Sequence, residues 1–445
     1  MDQASQEDLT GPARAEGGAE APRRVTRRRL LGYGLAGTAG VAGAGAVAGL
    51  FLGPKKPSWT AAPSAEVFKG DAPTGEVWDL WLKRGWAREA RHWRKLRNKV
   101  RCRLCPNNCL LAPGDRGRCR NRVNHEGTLY TLVYGNPCSF HVDPIEKKPL
   151  FHFLPATGVF SIATSGCGFR CLNCQNWSLS QRKPEETKDP RGPAVLATPQ
   201  RLRRLTQQDA RRLTMNPEHV VAIAEAFQCP SIAYTYSEPT SFYEYMIDTA
   251  RLARKKGIKN VWVTCGYIQR KPLEDFCDVL DAANVDLKSF SDEIYRKLNS
   301  GKLQPILDTL KVLKDRGVWF EVTNLLVPTY TDDMDMIRRM CDWLVKNIGV
   351  DYPVHFSRFH PQHKLLNLPP TPRDVLVEAR KLAMKAGLRY VYVGNLRGVE
   401  GGETTFCPKC GKGVIERYGY ALRALSLDRG KCASCRTPIA GVWKA

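Results

Sequence analysis

Acidic residues are scarce in this 445-residue chain, which carries 44 Asp and Glu against 68 Lys and Arg. The resulting net charge of +24 could attract nucleic acid, anionic lipid or an acidic protein. The basic runs, however, lack the interleaved aromatic side chains of an RNA-binding module. We therefore interpret the charge as a solvated basic surface and keep nucleic-acid binding as the alternative.

Long stretches without charge are also few, and the longest begins at residue 30. Residues 30–53 are uncharged and rich in Gly and Ala, and they follow a segment, 1–22, whose composition predicts disorder. Thr26-Arg27-Arg28-Arg29-Leu30-Leu31 resembles a twin-arginine export signal, with a signal-peptidase site at Ala46-Val47-Ala48. An uncleaved anchor is the alternative, because the stretch is just long enough to span a membrane. We expect the rest of the chain to be exported, with membrane contact through 30–53 if the signal is uncleaved, or cytoplasmic if the signal is unused.

Two further segments precede the first cysteines. Residues 54–75 are rich in Pro, Ala and Ser, which predicts a linker. In residues 77–101 tryptophans and leucines mix with many Lys and Arg, and we predict a basic helical segment whose tryptophans pack or dock. Residues 1–53 are thus assigned to a disordered start with a signal or anchor, and residues 54–100 to a linker with a basic helix.

Sixteen cysteines are many for this length, and most have the spacing of metal ligands, so a disulfide framework is the weaker interpretation. The first cluster lies in a turn-rich stretch and comprises Cys102, Cys105, Cys109 and Cys119. Four thiolates brought together by tight turns suit a structural zinc ion, and they also suit an auxiliary iron–sulfur cluster. Disulfides are a third alternative outside the cytoplasm. We predict that most of the scattered cysteines are small core residues, namely Cys138, Cys229, Cys265, Cys277 and Cys341.

The central cluster combines three cysteines with a buried strand. Residues 159–164 form an apolar, β-branched run that predicts a strand, and Cys167, Cys171 and Cys174 lie in the loop after it. Parallel barrels gather their chemistry at the carboxyl ends of their strands. Three cysteines within eight residues can reach three corners of a cubane iron–sulfur cluster, which leaves one iron open for S-adenosylmethionine (SAM). One-electron cleavage of SAM gives methionine and a 5′-deoxyadenosyl radical that abstracts hydrogen. A zinc site completed by a distant residue, or a structural turn, is the alternative.

Strand-like and helix-like runs alternate after this cluster and predict a parallel sheet, closed or partly closed. The predicted strands are 231–236, 260–264, 284–288, 319–327, 354–359 and 390–393. The predicted helices are 217–228, 241–256, 292–299, 305–316, 333–348 and 372–386. Polar residues gather where the strands end, and they include Glu238, Thr264, Asp286, Lys288, Asn324 and His360.

The chain ends with two Cys-x-x-Cys pairs separated by strand-like runs. The pairs are Cys407 with Cys410 and Cys432 with Cys435, which is the pattern of a zinc ribbon. Four thiolates close the coordination of the ion, so we predict a structural zinc, with a second iron–sulfur cluster as the alternative.

These features together resemble the radical SAM enzymes of AmmeMemoRadiSam systems, which are relatives of the pyruvate formate-lyase activating enzymes. The resemblance covers residues 100–445, and beyond the three-cysteine motif and the ribbon it rests on Asp143-Pro-Ile-Glu-Lys-Lys-Pro-Leu150, Cys171-Leu-Asn-Cys-Gln-Asn-Trp177, Tyr234-Thr-Tyr-Ser-Glu-Pro-Thr240 and Asp286-Leu-Lys288. It implies a [4Fe–4S] cluster and SAM at the carboxyl mouth of a partial (β/α)6 barrel.

The resemblance also implies roles for individual residues. It implies that Glu238 helps to hold the SAM amino group and that Asp286 and Lys288 line the SAM or substrate pocket, where we also count Thr264 and Asn324. The alternatives are a helix-start carboxylate for Glu238 and a surface ion pair for Asp286 with Lys288. One position departs from the pattern, because radical SAM enzymes commonly carry an aromatic residue before the third cysteine and this chain has Asn173.

The predicted architecture is therefore α/β: a Cys-rich N-terminal module at 101–154, a partial (β/α)6 TIM-like radical SAM barrel at 155–400 and a zinc ribbon at 401–445. The predicted function is hydrogen abstraction from a protein or peptide, by analogy with glycyl-radical activation, with electrons from a low-potential donor. The alternatives are an RNA-modifying radical SAM enzyme and a non-catalytic exported iron–sulfur and zinc protein.

Overall fold

The computed structural model describes residues 67–444. The predicted export signal, the signal-peptidase site and most of the linker lie outside the described residues. Within residues 67–444, no helix is both long enough and apolar enough to cross a membrane.

The described chain begins with one helix and two small antiparallel sheets. The elements are α1 (Gly75–Lys83), β1 (Arg88–Glu89), β2 (Trp93–Leu96), β3 (Lys99–Cys102), β4 (Leu110–Leu111), β5 (Arg122–His125) and β6 (Thr128–Thr131). One sheet has the order β2-β3-β4 and the other β1-β6-β5. Trp78, Trp81 and Trp86 are buried together against Val123 and Leu132, so the tryptophans are core residues of this module.

The prediction of a helix through residues 77–101 is wrong beyond Lys83. Gly85 adopts a φ of 69° and ends α1, and Arg97 adopts a φ of 54° in the two-residue turn that joins β2 to β3. A left-handed residue cannot continue a right-handed helix. A hairpin turn at Glu126-Gly127 joins β5 to β6, and both of its residues have positive φ.

A single sheet organises the rest of the chain up to residue 394. The strands of this region, with one short separate pair, are β7 (Ser139–Pro144), β8 (Gly158–Ala163), β9 (Val195–Leu196), β10 (Leu213–Thr214), β11 (Ser231–Tyr234), β12 (Lys259–Thr264), β13 (Ala282–Asp286), β14 (Trp319–Leu326), β15 (Val354–Arg358) and β16 (Val391–Gly394). The sheet order is β16-β15-β14-β13-β12-β11-β8-β7, with β9 paired to β10 apart from it. Seven strands are parallel and follow chain order, and β7 pairs antiparallel with β8.

Helices connect the parallel strands, as the alternating pattern predicts. They are α2 (Trp177–Ser180), α3 (Pro184–Thr187), α4 (Pro199–Leu202), α5 (Gln207–Arg212), α6 (Pro217–Ala226), α7 (Tyr243–Lys255), α8 (Arg270–Cys277), α9 (Asp292–Ile294), α10 (Gln304–Asp315), α11 (Met334–Asn347) and α12 (Arg373–Lys385). A 3₁₀ turn at Pro239–Phe242 precedes α7, and a π-helical turn at Tyr295–Asn299 follows α9. Helix α8 was absent from the sequence prediction, which passed from one strand to the next at this point.

The two faces of the sheet are packed differently. Outward side chains such as Phe160, Ile162 and Ile232 join the large cluster formed with the helices. On the other face, Val159, Ala233 and Val261 pack against Ile145, Leu150, Phe153 and Leu154 from the β7–β8 connection. The charged run that begins at Asp143 is therefore not the solvated loop that its composition alone predicts. Its Asp143 and Lys148 are buried and paired at 2.6 Å.

The C-terminal ribbon packs at the amino ends of the parallel strands. Its strands are β17 (Thr405–Phe406), β18 (Gly413–Tyr418), β19 (Ala421–Leu425), β20 (Leu427–Asp428) and β21 (Lys431–Cys432). Leu154 N donates to the Val442 carbonyl at 2.8 Å, and Val442 N donates to the His152 carbonyl at 2.8 Å. The ribbon thus pairs directly with the segment that leads into β8.

A buried polar network fixes this junction. Glu321, near the start of β14, is fully buried and accepts hydrogen bonds from the backbone N–H groups of Phe151 and His152, at 3.0 and 2.7 Å. His355 Nε2 lies 2.6 Å from the same carboxylate. The His152 ring bridges the Ala440 carbonyl and the Tyr392 hydroxyl, each at 2.6 Å. Burial lowers the pKa of His152 to about 4, so the ring is neutral at pH 7.

This network predicts an acid-sensitive junction. The folded pKa of His152 lies below the ordinary value near 6.5, so the unfolded chain takes up the proton first and stability falls as pH drops from about 6.5 towards 4. Between pH 7.0 and 5.5 we expect His152 to account for a loss of about 1 kcal/mol in the free energy of unfolding, measured by denaturant titration of metal-loaded protein. His152→Gln should lose that much less over the same interval, while the exposed control His360→Gln should follow the wild type. An unchanged pH dependence in His152→Gln would refute this assignment.

Candidate functional site

The three central cysteines lie at the carboxyl edge of the sheet, in the loop between β8 and α2. Cys167 Sγ accepts from the backbone N–H of Phe169 at 3.3 Å, and Cys171 Sγ accepts from Asn299 Nδ2 at 3.2 Å. Cys174 Sγ lies 3.1 Å from the Ser180 hydroxyl. Their sulfur atoms do not all lie within 4.8 Å of one another, as ligands of one ion would. A cubane spreads its thiolates, because each one binds a different iron, so the arrangement suits a cluster better than a zinc ion.

Protonation of these thiols depends on the cluster. Burial raises the pKa of Cys171 to about 11, and the neighbouring Lys288 and the Asn299 amide oppose the rise. Burial, together with the charge of Glu238, raises the pKa of Cys167 well above its ordinary value. Without metal the thiols of Cys167 and Cys171 are therefore neutral at pH 7, and binding of metal there must release protons.

Glu238 lies beside this loop and accepts four hydrogen bonds. Oε1 accepts from the Thr240 N–H at 3.0 Å, the Thr240 hydroxyl at 2.7 Å and the Thr264 hydroxyl at 2.7 Å. Oε2 accepts from the Cys265 N–H at 2.8 Å. Glu238 therefore caps the Pro239–Phe242 turn, as the helix-start interpretation predicts, and Oε2 keeps acceptor capacity for a ligand ammonium. Thr264 acts on Glu238 by holding its carboxylate.

Asp286 and Lys288 form an ion pair at the end of β13, with Nζ and Oδ2 2.7 Å apart. Both side chains are partly exposed, at 36% and 24%. Burial alone would lower the pKa of Lys288, but Asp286 and the nearby thiols of Cys171 and Cys265 raise it well above its ordinary value. The pair is thus more than a surface contact, because it places a cation beside the cysteine loop.

Two asparagines complete the carboxyl edge. Asn324, near the end of β14, donates to the Leu287 carbonyl at 2.7 Å and leaves its buried Oδ1 without a partner. Asn299 donates to Cys171, and its Oδ1 is likewise buried and unpartnered. Unpaired buried acceptors are costly and mark positions where a ligand donor fits. Asn173, at the position where an aromatic residue is common, is half-buried.

The first cysteine cluster adjoins this site. Asn107 Nδ2 and Arg118 Nε both donate to the Gly168 carbonyl, at 3.0 and 3.1 Å. Asn121 Nδ2 donates to the Ser165 carbonyl at 2.7 Å. Gly166 has a φ of 88°, and a Cβ there would overlap the Cys119 carbonyl oxygen and Asn121 Oδ1. The module before β7 therefore closes tightly over the loop that carries the central cysteines.

The four C-terminal cysteines converge on one point. Cys407 and Cys435 Sγ lie 3.5 Å apart and Cys410 and Cys432 Sγ 3.7 Å apart, and all four atoms lie within 4.8 Å of one another. A tetrahedral zinc with Zn–S bonds of about 2.3 Å places its thiolates about 3.8 Å apart. The predicted four-cysteine site is therefore present, with the spacing of a single ion. All sixteen cysteines are free thiols.

Several site residues escaped the sequence prediction. Cys265 was assigned to the core, yet its N–H donates to Glu238 and the residue lines a cavity together with the N-terminal cysteines. The sequence did not identify Asn299 or Asn121 as site residues, because a single Asn in a helix or turn commonly makes local hydrogen bonds of no functional meaning. Gly166 was read only as the end of a strand.

Comparison with known proteins places this site in a family. The family described as "Radical SAM superfamily" matches residues 161–344, which run from β8 to α11. The chain is 45% identical over 355 residues to the uncharacterized protein MJ0808 of Methanocaldococcus jannaschii, a match that covers 79% of this chain and 98% of that protein. The chain belongs to the radical SAM superfamily. It is also 24% identical over 197 residues to the pyruvate formate-lyase 1-activating enzyme of Escherichia coli K12, covering 44% of this chain and 71% of that enzyme.

Solved structures also align with part of the chain. SuiB of Streptococcus suis bound to SAM matches with a TM-score of 0.37 at 10% identity, covering 56% of this chain and 53% of SuiB. Membership of the superfamily implies a [4Fe–4S] cluster and SAM. The three spread thiols, the free capacity of Glu238 and the unpaired asparagine oxygens fit those two groups at the carboxyl edge.

The Glu238 carboxylate provides one test of the radical SAM site. The substitution Glu238→Gln removes the negative charge of the carboxylate and turns an amide NH₂ group towards hydrogen-bond donors. We therefore expect the Kd for SAM to rise about 10- to 100-fold. Equilibrium dialysis of anaerobically reconstituted protein measures the change. The exposed control Glu225→Gln should keep wild-type affinity, and both variants should keep wild-type iron. If Glu238→Gln binds SAM as tightly as the control does, Glu238 is not a SAM contact.

Gly166 tests the closure over the cysteine loop. Gly257 has a φ of 74° and open space around its Cα, so Gly257→Ala should cost only about 1 kcal/mol from backbone strain. Gly166→Ala adds overlap with the Cys119 carbonyl and should cost about 3 kcal/mol or more. Thermal unfolding of the two variants measures the difference. Equal losses would show that the module does not lie against Gly166.

Proposed function

We propose that this protein is an activating-enzyme-like radical SAM enzyme that abstracts hydrogen from a protein or peptide substrate. The observation that carries the proposal is the gathering of three spread thiols, the Glu238 carboxylate and the Lys288 cation at one carboxyl edge. When bound, the cluster and SAM supply one-electron cleavage to methionine and a 5′-deoxyadenosyl radical. The protein's own residues then bind, orient and shield the reactants.

Individual residues have distinct tasks in this proposal. Glu238 Oε2 would accept from the SAM ammonium, while Thr264 and the Cys265 N–H keep the carboxylate fixed. Lys288 places positive charge beside the cysteine loop, where it would attract the SAM carboxylate, and Asp286 holds the amine in place. Asn299 donates to the Cys171 sulfur, and such hydrogen bonds tune the potential of a cluster.

The substrate class is proposed from the named relatives. The E. coli relative is an activating enzyme whose target, pyruvate formate-lyase, is a protein. At 24% identity the relationship supports the class of substrate and not the target itself. Trp177, which follows the cysteine loop, is 39% exposed and stacks on His363, so the rim of the site offers an aromatic surface to a peptide.

We also propose zinc at the C-terminal four-cysteine site and export of the folded protein through residues 1–53. The sulfur spacing of 3.5 and 3.7 Å supports a single tetrahedral ion. The twin-arginine pattern supports export, since that route carries folded proteins whose metal is already bound.

The decisive experiment is an anaerobic assay for 5′-deoxyadenosine. Full-length protein is reconstituted with iron and sulfide, reduced with dithionite and supplied with SAM. We expect 5′-deoxyadenosine from wild type and from Cys277→Ala, which removes a buried thiol outside the site, and at least a 100-fold lower rate from Cys171→Ala. Production by Cys171→Ala at the wild-type rate would overturn the cluster assignment.

The alternatives give different results in the same preparation. A non-catalytic iron–sulfur protein would bind SAM or the cluster without forming 5′-deoxyadenosine in any condition. An RNA-modifying enzyme would show RNA binding that weakens steeply with salt, because phosphate contacts release counterions. Either result would replace the protein or peptide substrate in this proposal.

A further inference from the structure

The four N-terminal cysteines line a cavity, and their sulfur atoms do not converge on one position. Cys102, Cys105, Cys109 and Cys119 all line one cavity. No three of these sulfur atoms lie within 4.8 Å of one another, although the same measure identifies the four ribbon cysteines among residues 67–444. A structural zinc site is closed, with its four thiolates about 3.8 Å apart. The N-terminal set therefore lacks the convergence of the ribbon set, and a cluster of several irons, in which each thiolate binds a different iron, does not need that convergence.

The same cavity is lined from its other side by the SAM site. Gly168 and Phe169 belong to the loop between the first two central cysteines, and Glu238, Thr240 and Cys265 belong to the carboxyl edge. A metal placed there faces the reaction centre and not the protein surface. A purely structural ion needs no such position, and the ribbon ion, at the opposite end of the strands, does not have one.

Preformed donors surround the N-terminal thiols. Backbone N–H groups of Leu104, Asn107 and Arg118 are directed at the sulfurs of Cys102, Cys105 and Cys109, respectively. Arg122 is 1% exposed, and its Nη1 lies 3.7 Å from Cys102 Sγ. Its Nε has no hydrogen-bond partner. Amide and guanidinium donors of this kind stabilise the negative charge of a thiolate-bound cluster.

Arginines also lie between the two cysteine sets. Arg120 and Arg170 interact electrostatically with both Cys119 and Cys167. Arg170 Nη2 donates to the Arg118 carbonyl at 2.6 Å, and Arg118 Nη2 donates to the Ser300 carbonyl at 3.0 Å. Two anionic clusters placed close together repel each other unless cations separate them. The basic groups stand where that separation is needed.

We propose that Cys102, Cys105, Cys109 and Cys119 bind a second iron–sulfur cluster, and not zinc, on the wall of the cavity that they share with Glu238 and Cys265. This assignment goes beyond the proposed function and does not depend on the substrate. It gives the protein two iron–sulfur clusters at the carboxyl edge of the sheet and one ion in the ribbon.

Metal analysis of a variant without the central cluster tests the proposal. The full-length triple variant Cys167→Ala, Cys171→Ala, Cys174→Ala is reconstituted with iron, sulfide and an equal concentration of zinc. We expect it to keep between about one third and one half of the wild-type iron and sulfide, as a two-iron or four-iron cluster would give, with an iron–sulfur Mössbauer signature. Loss of all iron, with about two zinc ions bound per chain, would overturn the proposal.

A complementary variant covers the case in which the triple variant does not fold. Cys105→Ser with Cys109→Ser should lose the matching fraction of iron and keep the central cluster, while the control Cys277→Ala keeps all of it. Unchanged iron in Cys105→Ser with Cys109→Ser would equally overturn the proposal. The 5′-deoxyadenosine assay separates the two hypotheses: wild type with both clusters but no SAM cleavage refutes the proposed function alone, and SAM cleavage by protein with zinc at Cys105 refutes this inference alone.

Discussion

The site depends on a close approach between two backbone segments. Gly166 follows β8 with a left-handed backbone, and the Cys119 carbonyl lies where any side chain at that position would project. Because only glycine permits this contact, the N-terminal module can settle onto the loop that carries Cys167. The side chains of Asn107, Arg118 and Asn121 then reach the carbonyls of that loop. The shared cavity and the arginines beside it exist because this contact exists.

The N-terminal module that makes this contact also buries charged side chains, and their charges affect the nearby thiols. Arg122 and Glu244 form an ion pair at 2.5 Å with side chains 1% and 2% exposed, and Arg122 also reaches Cys102. Burial raises the pKa values of the nearby thiols, so without metal the arginines face neutral sulfur. Metal binding converts those thiols to thiolates and gives the cations their counter-charges. We therefore expect the module to be most tightly closed when its metal is bound, and assembly of the site to be coupled to metal loading.

The sequence predicted local features well and long-range contacts poorly. Alternating runs and cysteine spacings depend on neighbouring residues, and they predicted β8, β11 to β16, most connecting helices and the four ribbon cysteines. The helix predicted through residue 101 failed because the left-handed turn at Arg97 leaves no composition signal among so many basic residues. The Asp143 run was read as solvated because its burial depends on Tyr236, 93 residues away, whose hydroxyl donates to Asp143. Cys265 could not be distinguished from a core cysteine, since its contact with Glu238 arises from packing of β12 beside β11.

The two ends of the sheet divide stability from chemistry. At the amino ends, Glu321 accepts hydrogen bonds from the backbone of Phe151 and His152, and the His152 ring binds the ribbon at the Ala440 carbonyl. At the carboxyl ends, the acceptors of Asn299 and Asn324 are buried and unpaired, and the thiols are spread around open space. If every cysteine cluster only stabilised the fold, we would expect converging four-thiol sites at both ends of the sheet. Sulfurs converge at Cys407 and line a cavity at Cys105, and this is the contrast that we expect between a metal that holds the fold together and metals placed to react.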